Sequence, residues 1–169
     1  SWGYHRDEAS WRSTDELIRT LIDCVSKGGN LLLNVGPTGR GEFDARALVC
    51  LEGIGAWMRL HGRSIYGCTA APEEFKAPEN CLLTWNPETR RLYVHVLAWP
   101  YKHLHIEGLR QRMTYAQLLN DASEITCGAG SWYVQQMGGA SADNLLTLNL
   151  PTRKPDVAVP VIELFLDGK

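Results

Sequence analysis

The first eight residues, Ser-Trp-Gly-Tyr-His-Arg-Asp-Glu, gather several of the groups best suited to holding a polar ligand. Trp2 and Tyr4 offer flat rings, on which the apolar face of a sugar stacks well. His5 stands beside them, and Asp7 and Glu8 are the only carboxylates next to the aromatic pair, so either has the chemistry of a general acid. The plainer reading of both is a solvated loop charge. Asn34 ends an apolar run, where its amide can join a polar pocket or simply tie down the turn that follows. Further along, His103 and His105 alternate on one strand face and could chelate a metal with His95 from a neighbouring strand. Exposed sheet histidines are the commoner outcome, and we assign no metal. The glycine-rich turn 36–41 could expose amides to an anion, but the lysine followed by Ser or Thr that a phosphate loop needs is absent.

The elements that must position these groups fall into two halves. Ser13 and Glu16 form a capping box, and Leu17, Ile18, Leu21, Ile22 and Val25 recur at helical spacing up to Gly28-Gly29, predicting a helix over 14–27. Residues 30–35 are a nearly continuous apolar run, which suits a strand buried on both faces, as in a parallel sheet. Asp44 can cap a second helix carrying Leu48, Leu51, Ile54, Trp57 and Met58 on one face and closing at Gly62. Helix, buried strand, helix is the rhythm of an α/β layer, and so short a stretch cannot bury a parallel strand alone. The neighbouring strands are therefore expected upstream, and the chain, which opens directly on its aromatic motif, reads as a fragment.

After Tyr66 the pattern changes to short runs divided by turn residues: 82–85, 92–99, 104–109, 113–118, 132–136, 145–150 and 161–166 read as antiparallel strands. Asn86-Pro-Glu-Thr is a hairpin-type turn, and Pro151, Pro155 and Pro160 keep the late linker irregular. About seven strands suggest a β-sandwich or jelly roll. The expected fold is thus α/β plus all-β, with a boundary around residues 67–78.

Composition narrows the partners. The chain has 169 residues, 44% of them hydrophobic, with 17 basic and 19 acidic residues spread without long runs, so no footprint for nucleic acid or an anionic membrane is present. No run reaches the roughly 20 apolar residues that would cross a bilayer. Targeting cannot be read from it. The five cysteines are odd in number and never in a C-x-x-C pair, which points to buried reduced thiols rather than zinc or a disulfide framework.

Trp2-Gly3-Tyr4, the capped Asp15-Glu16-Leu17-Ile18, and above all the block from Ser26-Lys27-Gly28-Gly29-Asn30 through Leu31-Leu32-Leu33-Asn34-Val35-Gly36-Pro37 resemble the α-L-fucosidases of glycoside hydrolase family 29. Ile54-Gly55-Ala56-Trp57 and residues 62–67 look like the family's final barrel helix and its exit. The resemblance covers residues 1–67 well; beyond them it rests on strand pattern, on Leu83-Thr84-Trp85 and Leu92-Tyr93-Val94-His95-Val96, and on position after the barrel. It implies that residues 1–67 are the last helix–strand–helix segment of a (β/α)8-like TIM barrel, 68–78 a linker and 79–169 a carboxy-terminal antiparallel β-sandwich.

It further implies retaining hydrolysis of fucosylated glycans without a cofactor, using an aspartate nucleophile and a carboxylic acid/base about 5–5.5 Å apart. The family's nucleophile follows a middle barrel strand, and its motif has no counterpart in this sequence. No catalytic residue is therefore transferred, and the partner needed is the upstream barrel segment or another subunit. The family uses an aromatic at the position of Trp2 to wall the fucose pocket, which makes Trp2, Tyr4, His5 and Asn34 the candidate substrate-binding residues. Two other roles compete with an enzyme segment. The sandwich could be a non-catalytic carbohydrate-binding module presenting Trp85, Trp99, Tyr101, Trp132 and Tyr133, although core packing explains those aromatics as well. Alternatively, the chain could be a structural interaction piece.

Overall fold

A computed structural model describes residues 2–128 and 144–167. Its chain order is α1 (Thr14–Ser26), α2 (Ala45–His61), a 3-10 turn (Gly62–Ser64), then strands β1 (Thr69–Ala70), β2 (Cys81–Asn86), β3 (Arg91–Val96), β4 (His103–Glu107), β5 (Met113–Leu118), β6 (Cys127–Gly128), β7 (Leu145–Asn149) and β8 (Val161–Leu166). Every strand pairing is antiparallel, in one sheet ordered β1-β2-β3-β8-β5 and a second ordered β4-β7-β6.

Local chemistry accounts for the element ends. Ser13 Oγ accepts from the Glu16 amide at 3.2 Å while the Ser13 amide donates to Glu16 Oε2 at 2.7 Å, completing the capping box of α1. At its other end Gly28, at φ +76°, donates to the Val25 carbonyl and Gly29 to that of Cys24, a paired closure that needs a left-handed residue. Asp44 caps α2 by accepting from the Arg46 amide at 2.9 Å. Between β2 and β3, Asn86 Oδ1 accepts from the amides of Glu88 and Thr89, fixing the hairpin turn.

Alternation along the strands makes two interfaces. Leu83, Leu92, Val94, Ile162, Leu164, Ala116 and Leu118 of the larger sheet share one apolar core with Leu104, Ile106, Leu146 and Leu148 of the smaller one. The larger sheet's other face carries Tyr93 and Val161, which pack with Ile18, Ile22 and Val25 of α1 and Trp57 of α2. The helices thus cover the larger sheet, and the Trp57 indole donates to the Val159 carbonyl at 2.9 Å. Residues 68–78, expected as a linker, hold β1 and bury Phe75 in the shared core. Strands of two residues are too short to show alternation, which is why β1 and β6 escape a reading by pattern. The expected strand 132–136 lies outside the described residues.

One expectation fails. Residues 30–35 form no strand: they run extended with no ladder partner among the described residues, and Leu32 is 95% exposed and Leu33 40%. An apolar run becomes a buried parallel strand only with neighbours along both edges and cover on both faces. Neither is supplied by the residues described.

The helix–sheet interface also buries polar groups. The Thr84 hydroxyl donates to the Ser64 carbonyl at 2.7 Å, so the His95 Nε2, 2.9 Å from the same oxygen, must be the N–H partner. His61 Nδ1 donates to the Trp57 carbonyl at 3.0 Å, and its ring stacks on Trp57 at 4.8 Å. Both histidines are fully buried and neutral. Loss of water pushes both below the ordinary histidine range, His95 to about 3 with a smaller push from His61. Nearby, Glu163, 2% exposed, accepts from Gln117 Nε2 at 2.7 Å, the Tyr93 hydroxyl at 3.2 Å and Arg63 Nη2 at 3.3 Å, joining the turn after α2 to the sheet.

These depressed values have a defined sign. The unfolded chain protonates its histidines near 6.5 while the folded chain keeps His95 neutral to about 3, so the stability this site contributes is whole above 6.5 and drains away as pH falls. Urea titrations across that window should show stability falling with acidity. His95→Gln should make that slope shallower by up to about 1.4 kcal/mol per pH unit, and an unchanged slope would contradict the burial argument.

Candidate functional site

The amino-terminal loop, residues 2–12, lies across the end of the extended segment 30–37. Asn34 Nδ2 donates to the Trp2 carbonyl at 2.7 Å. Two residues on, a Cβ at Gly36 would stand 2.6 Å from the Tyr4 amide nitrogen and 2.8 Å from the Gly3 carbonyl carbon, so only glycine lets the two backbones cross. This crossing is the local reason that the aromatic motif and the apolar segment meet.

From the other side the loop is held by α2. Asp44, besides capping the helix, takes Arg46 Nε at 2.8 Å on one oxygen and Nη2 at 2.9 Å on the other. That doubly bonded guanidinium holds the Asp44 carboxyl well below the usual carboxylate range, with the Tyr4 hydroxyl contributing. Arg46 also donates from Nη1 to the Glu8 carbonyl at 3.0 Å and from Nη2 to the Arg6 carbonyl at 3.3 Å, with its guanidinium 4.6 Å from the centre of the Trp11 ring.

Between loop and helices lies a cavity of about 350 Å³. Its walls include Tyr4, His5, Glu8, Trp11 and Asn34 on the loop side, and Leu17, Cys50, Leu51 and Ile54 on the helices. Three of the four expected sugar contacts, Tyr4, His5 and Asn34, therefore share one cavity. Trp2 does not line it: its side chain stands free at 92% exposure, while its backbone is pinned by Asn34. Asn34 thus ties down the loop in front of it rather than the turn behind it.

The carboxylates divide as well. Glu8 Oε1 accepts from the Ser10 hydroxyl at 2.6 Å and the Ser10 amide at 2.8 Å, which lowers its pKa and makes it a poor proton donor near neutrality. Asp7 pairs with Arg6 at 3.2 Å in the open. Both behave as loop charges. Among the missed participants, Arg46 had one sequence signal: it is a cation in the first turn of a helix, at the positive end of the macrodipole.

The other candidates are dispersed. His95 sits on β3 under the helices, and His103 and His105 lie on β4 in the smaller sheet with ring centres 6.3 Å apart, so the three do not converge. Among the described residues no group of three or more metal-ligating side chains is gathered, and no helix is long and apolar enough to cross a membrane. Trp85 and Trp99 pack against the shared core, Tyr101 is 75% exposed, and Trp132 and Tyr133 lie outside the described residues. The cysteines are free, but only Cys81 is fully buried; Cys127 is exposed and the other three are half-buried. Burial pushes the Cys81 thiol up to about 12 and that of Cys68 to about 11, which leaves both inert.

Comparison with known proteins places the chain beside one group. The α-L-fucosidase family model matches residues 1–63. Human plasma α-L-fucosidase is 32% identical over 103 residues, and human tissue α-L-fucosidase 35%; each match takes in 59% of this chain and 22% of the relative, so the chain spans about a fifth of their length. Among solved structures, α-L-fucosidase isoenzyme 1 from Paenibacillus thiaminolyticus is 37% identical with a TM-score of 0.86, covering 99% of this chain and 38% of that one. The Thermotoga maritima α-fucosidase, solved with a mechanism-based inhibitor, is 28% identical with a TM-score of 0.76, over 98% and 37%.

The Gly36 crossing yields a direct check. Gly36→Ala should destabilise the chain by about 1–3 kcal/mol, because backbone rather than a flexible side chain blocks the new methyl. Gly39→Ala, where a Cβ meets nothing within 4 Å, should leave the denaturation midpoint in place. Equal midpoints for the two variants would show that the crossing is not held.

Proposed function

Since the chain belongs to the α-L-fucosidase family, glycoside hydrolase family 29, whose carboxy-terminal portion it matches, we propose that it is part of a retaining enzyme hydrolysing terminal α-L-fucosyl residues from glycans. The observation that carries this reading is the pinning of the Trp2 backbone by Asn34 at 2.7 Å, which places an exposed flat ring at the end of the segment 30–37. Stacking needs such a ring within reach, and with the backbone beneath it already held only the side-chain torsions of the indole remain to be ordered on binding.

In this reading residues 1–67 complete a (β/α)8-like barrel as its last helix–strand–helix segment. Residues 68–78 lead onward while lending β1 to the larger sheet, and 79–169 form the family's β-sandwich. Trp2 walls the fucose site, Tyr4 and His5 flank it from the adjoining cavity, and Asn34 holds the loop. The nucleophile of the double displacement, which attacks the anomeric carbon, comes from outside this chain. The remaining barrel, as an upstream segment or another subunit, covers Leu32, Leu33 and Val49, which are 95%, 40% and 65% exposed. It also provides residues 30–35 with strands on both edges.

An aryl α-L-fucoside assay tests the division of labour. This chain alone should give no turnover, and robust turnover by it would place a nucleophile among its own carboxylates. In the complete enzyme Trp2→Ala should raise KM by about tenfold, the loss of about 1.4 kcal/mol of stacking, with the fold unchanged. Unaltered KM and kcat would remove Trp2 from the site.

A further inference from the structure

We propose that Arg46 is a positioning residue for the sugar-contacting loop, acting with Asp44 as a clamp that sets where Trp2 and Tyr4 stand; the substrate half of this proposal rests on the fucosidase reading above.

Five contacts converge on one guanidinium. Arg46 grips both oxygens of Asp44, donates to the carbonyls of Arg6 and Glu8, and lies over the Trp11 ring at 4.6 Å. Planar, five-donor geometry makes this possible for arginine and not for lysine. The bonds cross from a helix to a loop that has no strand or helix of its own, since residues 2–12 contain only turns and extended chain. Between residue 5 and the capping box of α1, the loop also makes local bonds: Glu8 with Ser10, the Trp11 indole with the Glu8 carbonyl, and the Glu8 amide with the His5 carbonyl. Such bonds shape the loop without fastening it to the helices. Cys50 Sγ adds one weak tether, 3.4 Å from the Arg12 carbonyl.

The position of Arg46 on α2 argues the same way. A cation in the first turn stands at the positive end of the helix dipole and costs α2 a little stability. Its place there is explained by the loop and not by the helix, so removing it should leave α2 formed. The Asp44 side of the clamp can be weakened without losing the cap as well, because asparagine caps a helix about as well as aspartate does.

Cys50 is a built-in reporter of loop docking. It lines the cavity beneath the loop, and its thiol faces the Arg12 carbonyl. Timed alkylation of the native chain, read residue by residue by mass spectrometry, compares Cys50 with Cys127 on the distant β6. Arg46→Ala and Asp44→Asn should each speed Cys50 labelling at least about fivefold as the loop opens more often, with Cys127 unchanged. Arg46→Lys should not restore the native rate. In the complete enzyme the same variants should raise KM for an aryl α-L-fucoside several-fold with kcat nearly constant, a split that general destabilisation would not produce. Native Cys50 labelling in both variants would overturn the clamp. Faster labelling with unchanged KM would overturn its role in substrate binding. A complete native enzyme inactive on the fucoside would overturn the functional reading instead, while the labelling would still decide the clamp.

Discussion

Nothing larger than a hydrogen fits between Gly36 and the backbone of Gly3 and Tyr4, and most of what this chain can do depends on that closeness. Because the two backbones touch, the Asn34 amide reaches the Trp2 carbonyl, and the indole above it is presented from a fixed base. The contact joins a loop without regular structure to a segment without strand partners among the described residues, so each restrains the other. Arg46 then closes the loop from the opposite side. The backbone that carries the ring is held by the Asn34 amide, and the loop that follows it by the Arg46 guanidinium.

Behind this arrangement stands a layer of helices bound to a sheet through buried polar groups as well as apolar ones. Trp57 fills the interface and donates to Val159, His61 donates from Nδ1 to the Trp57 carbonyl, and separately His95 donates to the Thr84 hydroxyl, which donates to the Ser64 carbonyl. Glu163 gathers Tyr93, Gln117 and Arg63. Apolar burial alone lets a helix slide on a sheet, whereas directional hydrogen bonds such as these favour one register, even with His61 Nε2 and His95 Nδ1 left without a partner among the described residues.

The parts of the fold that were legible in the sequence are those set by local chemistry. Ser13 and Glu16 announce the start of α1, Gly28-Gly29 its end, Asp44 the start of α2, and Asn86 the first hairpin, because in each case a side chain or a glycine satisfies backbone groups a few residues away. The longer strands are legible because alternation separates the two faces of the larger sheet. Residues 30–35 are the instructive failure: Leu31, Leu32 and Leu33 state what environment the segment prefers, not whether the described residues supply it. The candidate site was half legible. Tyr4, His5 and Asn34 do line one cavity, yet the part played by Asn34 and the whole contribution of Arg46 depend on contacts between residues more than 30 positions apart, on which spacing is silent. His95 lies apart from His103 and His105 because β3 and β4, adjacent in sequence, belong to different sheets.

A crystal structure of the complete enzyme bound to a fucose-configured iminocyclitol tests the central claim most directly. The account predicts the Trp2 ring within about 4 Å of the ligand's carbon skeleton, Asn34 still bonded to the Trp2 carbonyl, and residues 30–35 paired in parallel along both edges. A ligand bound with Trp2 left in solvent, or a segment 30–35 drawn away from Gly3, would contradict it.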